Sequence, residues 1–202
     1  MNRKLLVFVE SSPQRKVIVV NLTLLKELED VKKKQDVLTS RLAKKIEAKV
    51  ERSIIEAFHD FERFFKDNGF EVQADERIIT ASYGNLKAIL KYDVPATPHV
   101  GSYFVFDLIF EMQETTEYQL LLISKDKNTD SSCNTAKDSD QPLRQHIEKV
   151  KENIGSTEDR IKNFTKEIWA FELRSKKQKK KDDRIIHDSV YELLTALTTE
   201  DE

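Results

Sequence analysis

Residues 24–65, LLKELEDVKKKQDVLTSRLAKKIEAKVERSIIEAFHDFERFF, decide how the rest of the chain is read. Apolar residues fall at Leu24, Leu28, Val31, Leu38 and Leu42, and Gln35 occupies the slot between Val31 and Leu38. That is the alternating spacing of a coiled-coil seam. From Leu42 the row advances by fours through Ile46, Val50, Ile54 and Phe58, then reaches Phe61 and Phe65, with no Gly or Pro to interrupt it. The spacing predicts one helix of roughly 45 residues, which at ~1.5 Å per residue is about 65 Å long. A compact body of this chain length would be roughly 43 Å across. Such a helix must overhang the body or lie against another long element.

The change of step after Leu42 rotates the apolar stripe, so a uniform supercoil cannot run the whole length. Gln35 weakens the seam and either fixes register and partner number or faces water. Phe58, Phe61, Phe64 and Phe65 mark the point where the helix docks on a core, and Asn68-Gly69 supplies the stop. The helical arm is therefore assigned to residues 23–68.

Residues 1–22 form a short β segment. Two runs at 5–9 and 17–20, rich in branched and aromatic residues, flank Ser11, Ser12 and Pro13, so a hairpin or edge strand is expected, with Asn21 or Thr23 capping the helix. Over residues 69–124 the period becomes two. Gly84-Asn85 suits a two-residue turn that pairs Tyr83 with Leu86, Ala81 with Ala88 and Ile79 with Leu90 on one apolar face. Phe104, Phe106, Leu108 and Phe110 line one side of a following strand, and 118–123 makes another. An antiparallel meander of about four strands is expected, one face covered by the Phe-rich helix end.

Residues 125–141 are polar, without apolar period, and are read as a flexible loop. Residues 142–202 are read as C-terminal helices. One is expected over 146–154, closed by Gly155. A second is opened by Ser156 and Asp159 and carries Ile161, Phe164, Ile168 and Phe171, and a last amphipathic segment carries Ile186, Val190, Leu193 and Leu197. The resulting fold class is α+β: a long N-terminal coiled-coil-like helix, a central antiparallel β-meander, and C-terminal helices packing back on the arm.

Charged residues reach 35% against four Gly and four Pro, a balance that suits long solvated helices better than a loop-built enzyme. The formal charge of −2 gives no global attraction to nucleic acid or an acidic membrane, so any such binding needs a local patch. The lone Cys133 fits a reducing compartment, no run is long enough to span a membrane, and a cytoplasmic location is expected.

His59, His99, His146 and His187 lie in four segments, none with a second ligand at metal spacing. Glu56, His59, Asp60 and Arg63 share neighbouring helix faces as a solvated charge network. Asp107 and Glu111 share a strand face, but the Lys that a nuclease carboxylate site wants on the adjacent strand is Gln119. There is no phosphate loop or nucleophile motif, so no cofactor, metal or small-molecule substrate is expected.

Two basic runs stand out: Lys32, Lys33, Lys34, Lys44 and Lys45 on the arm, and Lys176, Lys177, Lys179, Lys180 and Lys181 near the end of the second C-terminal helix. If that helix returned antiparallel along the arm, the two runs would gather into one patch able to contact phosphates. No aromatics interleave to stack bases, and charged helix faces are ordinarily just solvated.

The leading expectation is a non-enzymatic coiled-coil interaction or scaffold subunit. It oligomerises or docks onto a larger assembly through Leu24, Leu28, Val31, Gln35, Leu38 and Leu42. A nucleic-acid-binding accessory protein is the alternative, and a metal-dependent nuclease the third.

Overall fold

The computed structural model describes residues 4–7, 18–93, 102–125, 143–175 and 185–199. The chain divides into two compact units, Met1–Ile46 with Cys133–Thr165, and Glu47–Ser132 with Lys166–Glu202. Helix α1, Leu22–Asp67, is a single 46-residue element with a part in each.

In the first unit, strands β1 (Lys4–Val7) and β2 (Ile18–Asn21) pair antiparallel, the expected hairpin. Asn21 caps α1, its Oδ1 accepting from the backbone N–H of Thr23 at 3.1 Å and of Leu24 at 3.3 Å. Among the described residues the unit also holds α2, Leu143–Asn163, which runs unbroken through Gly155. The expected stop at Gly155 and restart at Ser156 do not occur. Ile147, Val150, Ile154 and Ile161 are all buried, forming one row that continues across the glycine. Burial of that row outweighs the propensity cost of a mid-helix Gly, about 1 kcal/mol.

The second unit holds a seven-stranded antiparallel sheet in strictly sequential order. Its strands are β3 (Glu71–Ala74), β4 (Ile78–Tyr83), β5 (Leu86–Lys91), β6 (Phe104–Glu111), β7 (Thr115–Ser124), β8 (Trp169–Ser175) and β9 (Ile185–His187). The β4–β5 register is the one expected from the turn, Tyr83 opposite Leu86 and Ile79 opposite Leu90, and Gly84 takes the positive φ of 58° that a side chain disfavours.

The expectation of about four strands undercounts, and residues expected in C-terminal helices instead supply β8 and β9. Phe171 and Leu173 alternate with Ala170 and Glu172 across the sheet, pairing with Leu122, Leu120, Ile123 and Leu121 of β7. The last segment splits likewise: Ile186 lies in β9, while Val190, Leu193 and Leu197 lie in helix α3, Val190–Thr199. The polar loop assigned to 125–141 lies outside the described residues from 126 onward.

One face of the sheet carries the core: Ile79, Ala81, Ala88, Leu90, Phe104, Phe106, Leu108, Leu120, Leu122, Phe171 and Leu173 are all buried. The aromatic end of α1 covers it, as expected. Phe61, Phe64 and Phe65 are buried, and Phe58 meets Tyr92, which in turn packs on Phe104 and Phe106. The helix then stops on a paired backbone motif. Phe70 N–H donates to Phe65 C=O at 2.9 Å and Gly69 N–H to Lys66 C=O at 3.0 Å, with Gly69 at φ 81° and the Phe65 and Phe70 rings 5.1 Å apart. Helix α3 is capped by Ser189 and tied to α1 through Tyr191, whose hydroxyl donates to Asp67 and whose ring packs on Phe64 and Arg63.

Two substitutions test these assignments. Phe61→Ala empties a fully buried site and is expected to cost about 3–5 kcal/mol, measured on the unfolding of the sheet unit through Trp169 fluorescence. Gly155→Ala is expected to stabilise the first unit by about 0.5–1 kcal/mol, because an added methyl meets nothing within 4 Å and the helix is continuous there. A loss of stability on Gly155→Ala, read by helix melting in circular dichroism, would restore the helix break.

Candidate functional site

The row at Leu24, Leu28, Val31, Gln35, Leu38 and Leu42 is the candidate site, and the structure shows what lies beside it. Glu27 is paired with Lys151 at 2.9 Å, Lys34 with Glu158 at 2.9 Å, and Lys45 lies over the Phe164 ring at 5.9 Å. Residue numbers rise together on both sides, so α2 runs parallel to the first half of α1. The antiparallel return considered from the sequence is thereby corrected. The two ion pairs stand seven residues apart on each helix, flanking the apolar rows as charges do in a parallel coiled coil.

The cover is unequal. Ile147, Val150, Ile154 and Ile161 of α2 are 2–8% exposed, whereas all six residues of the α1 row are only half-buried. The first buried residue of α1 is Ser53, well past the row. On another face of the same stretch Val37 is 68% exposed, beside an open groove of about 450 Å³ along Asp36, Val37, Ser40, Arg41 and Lys44. Gln35 shares the half-buried state of its neighbours.

The basic residues are dispersed in their engagements. Lys32 and Lys44 are exposed, Lys33 reaches Glu29 at 3.8 Å, and Lys34 and Lys45 are held by Glu158 and Phe164. Lys176, Lys177, Lys179, Lys180 and Lys181 lie outside the described residues, and they follow strand β8, not a helix. The composite patch required a helix leading into those lysines, and the described residues before them, Trp169–Ser175, form a strand.

Among the described residues, two titrating groups carry shifts with clear causes. Hydrogen bonds to Glu27 and then Glu148 raise the Lys151 ammonium above the usual lysine value. A raised value means its contribution is intact at neutral pH and fades only as alkaline titration passes through it. The Lys66 hydrogen bond lowers the Glu62 carboxyl, so that contribution fades only in acid. Both groups are solvent-exposed and act weakly.

The expected charge network at Glu56, His59, Asp60 and Arg63 is present in part. Arg63 bonds Asp60 at 3.2 Å, and His59 turns to Glu62 at 3.9 Å. Asp107 and Glu111 share a strand face but stand about 13 Å apart along it, opposite Gln119 and Thr115 respectively. That separation is too great for one ion to join the two carboxylates. Among the described residues no three His, Cys, Asp or Glu side chains gather closely enough to hold a metal.

The sequence reading did not single out Glu172, a carboxylate 1% exposed on the sheet face opposite the aromatic core and bonded by Arg174 at 2.7 Å. Lys91, Asp107, Gln119 and Arg174 follow one another in ladder register on that same face. The signal for it was the two-residue alternation in 169–175, once that stretch is taken as a strand. No helix among the described residues is long and apolar enough to cross a membrane. No protein-family model, curated protein or solved structure matches the chain.

The parallel run of α2 is checked by cross-linking in a Cys133→Ser background. Glu27→Cys with Lys151→Cys is expected to close rapidly with a short bismaleimide. Glu27→Cys with Arg160→Cys, the pairing an antiparallel helix would bring together, is expected to stay open.

Proposed function

We propose that the chain is a non-enzymatic interaction subunit in which the first half of α1, with α2 beside it, forms a helical docking element. The single observation behind this reading is the unequal burial: the α2 row is closed, and the Leu24–Leu42 row stays half-open. Full burial of an aliphatic side chain is worth about 1.5–3 kcal/mol. Each half-covered Leu or Val along the row therefore retains a gain that a further helix can realise. A second copy of the chain, or a coiled coil on a larger assembly, supplies that helix in this reading, and half-buried Gln35 would select its register. Cytoplasmic placement is proposed with it, on the strength of the lone cysteine.

A nucleic-acid role draws less support. Lys33, Lys34 and Lys45 already have partners within the first unit, with which a phosphate backbone would have to compete.

Sedimentation equilibrium across nanomolar to high-micromolar concentration tests the reading, with a dimer or higher species expected and Val31→Glu/Leu38→Glu expected to abolish it while helix content is kept. A particle that stays single at every concentration, in which Leu28→Cys and Leu38→Cys react with a thiol reagent as slowly as Leu193→Cys, would remove the basis for it. A single particle with fast-reacting seam thiols would assign the missing helix to a different protein.

A further inference from the structure

Asn68-Gly69 ends α1, and it is also the one Asn-Gly step in the sequence. Such a step carries chemistry of its own, because glycine has no side chain to hinder its backbone nitrogen. The Gly69 amide gives up its proton to water, and its nitrogen bonds to Asn68 Cγ. The Cγ–Nδ2 bond then breaks and ammonia leaves. Water opens the resulting five-membered imide at either carbonyl, leaving aspartate, or isoaspartate with Cβ in the main chain. Water is the only co-reactant, and no electrons change hands.

Both reacting groups are tied down in the folded chain. Gly69 N–H donates to Lys66 C=O at 3.0 Å, and Asn68 Nδ2 donates to Phe64 C=O at 2.8 Å. Phe70 N–H, donating to Phe65 C=O at 2.9 Å, closes the motif, with the Phe65 and Phe70 rings packed 5.1 Å apart. Ring closure needs the proton off the Gly69 nitrogen and the Asn68 side chain swung round to it, so the first two bonds must open. Bulk does not shield the step. Asn68 and Gly69 are exposed, and a methyl built on Gly69 meets nothing within 4 Å. The restraint is the hydrogen-bonded cap itself.

The converted residue does not refit the cap. Either product exchanges the Nδ2 donor for a carboxylate oxygen facing Phe64 C=O. It also adds a negative charge beside Asp67 at the C-terminal end of α1, where the helix dipole disfavours one. The neighbouring Lys66 is already bonded to Glu62 at 2.6 Å. Isoaspartate further lengthens the main chain by one carbon ahead of Phe70, which displaces Phe70 from Phe65 and the start of β3 from its register with β4. We propose that Asn68-Gly69 is a deamidation site gated by the end of α1: the closed cap holds it inert, and the opened cap lets it convert to a residue that no longer fits.

The test follows the full chain at one pH and temperature, native and unfolded in guanidinium, by peptide mapping for the amide-to-acid mass gain and by enzymatic methylation of isoaspartate. Product is expected at position 68, forming at least about tenfold more slowly in the native chain, since a reaction through an opening tracks the population of the open form. Phe70→Ala, with retained Trp169 fluorescence verifying the fold, is expected to raise the native rate at least about threefold by loosening the cap. Phe70→Leu takes its place if the alanine variant does not fold. The converted fraction, separated by charge, is expected to unfold at a lower guanidinium concentration than the unconverted chain. Equal rates in the native and unfolded chain, a Phe70 variant no faster than the parent, conversion at Asn85 ahead of Asn68, or equal unfolding midpoints would each overturn the proposal.

Discussion

The sheet of the second unit depends on the aromatic end of α1. A seven-stranded meander with Phe104, Phe106, Leu108, Leu120 and Leu122 on one face cannot leave that face in water, because burying such side chains is what drives the sheet to fold. Phe58, Phe61, Phe64 and Phe65 meet it at the i, i+3, i+6 and i+7 positions of one side of the helix. The stop at Gly69 is part of the same device. The positive φ turns the chain so that Phe70 folds back onto Phe65 and the first strand starts directly beneath the helix. Moving the stop by one residue would turn every side chain of β3 to the opposite face.

Where two local signals agreed, the sequence was legible. The β4–β5 hairpin had a glycine at the turn and an apolar alternation that demanded the same register, and every expected pair is found. The α1 span, its Asn21 cap and its Asn68-Gly69 end were likewise each supported by residue chemistry and by period. The failures came where one signal served two periods. Ile161, Phe164, Ile168 and Phe171 are spaced as a helix face, yet Ile168 is 57% exposed and Phe171 belongs to a strand. Strands β3 and β9 are too short, at four and three residues, to show a period at all. Ladder pairing with neighbours remote in sequence decides such segments, and a single stretch carries no record of it.

The candidate site was half legible for a related reason. The apolar row of α1 is visible in the sequence, and so is its continuation problem: a long helix needs cover. The direction of the covering helix was not. Taking Gly155 as a stop divided α2 in two and hid the run Ile147, Val150, Ile154, Thr157, Ile161 and Phe164, which holds the same alternation of threes and fours as α1. With the run kept whole, Glu27 and Lys34 on one helix and Lys151 and Glu158 on the other fall at matching intervals of seven with opposite charges. Such pairs contribute little to stability, but they set orientation and partner choice. The lysines, taken one helix at a time, had suggested a bare basic patch. Beside α2, several of them belong to the first unit's own pairing.

Along the Leu24–Leu42 row the apolar side chains stay half-covered, between charges of both signs, Glu27 and Lys34 on α1 and Lys151 and Glu158 on α2. The two carboxylates weighed as a metal site do not sit side by side. Asp107 and Glu111 are instead spread along a strand, while the polar row from Lys91 to Arg174 is arranged as cross-strand neighbours, with Glu172 beside it held by Arg174. The specific information in this fold lies in which side chains are left uncovered, and in the charges that frame them.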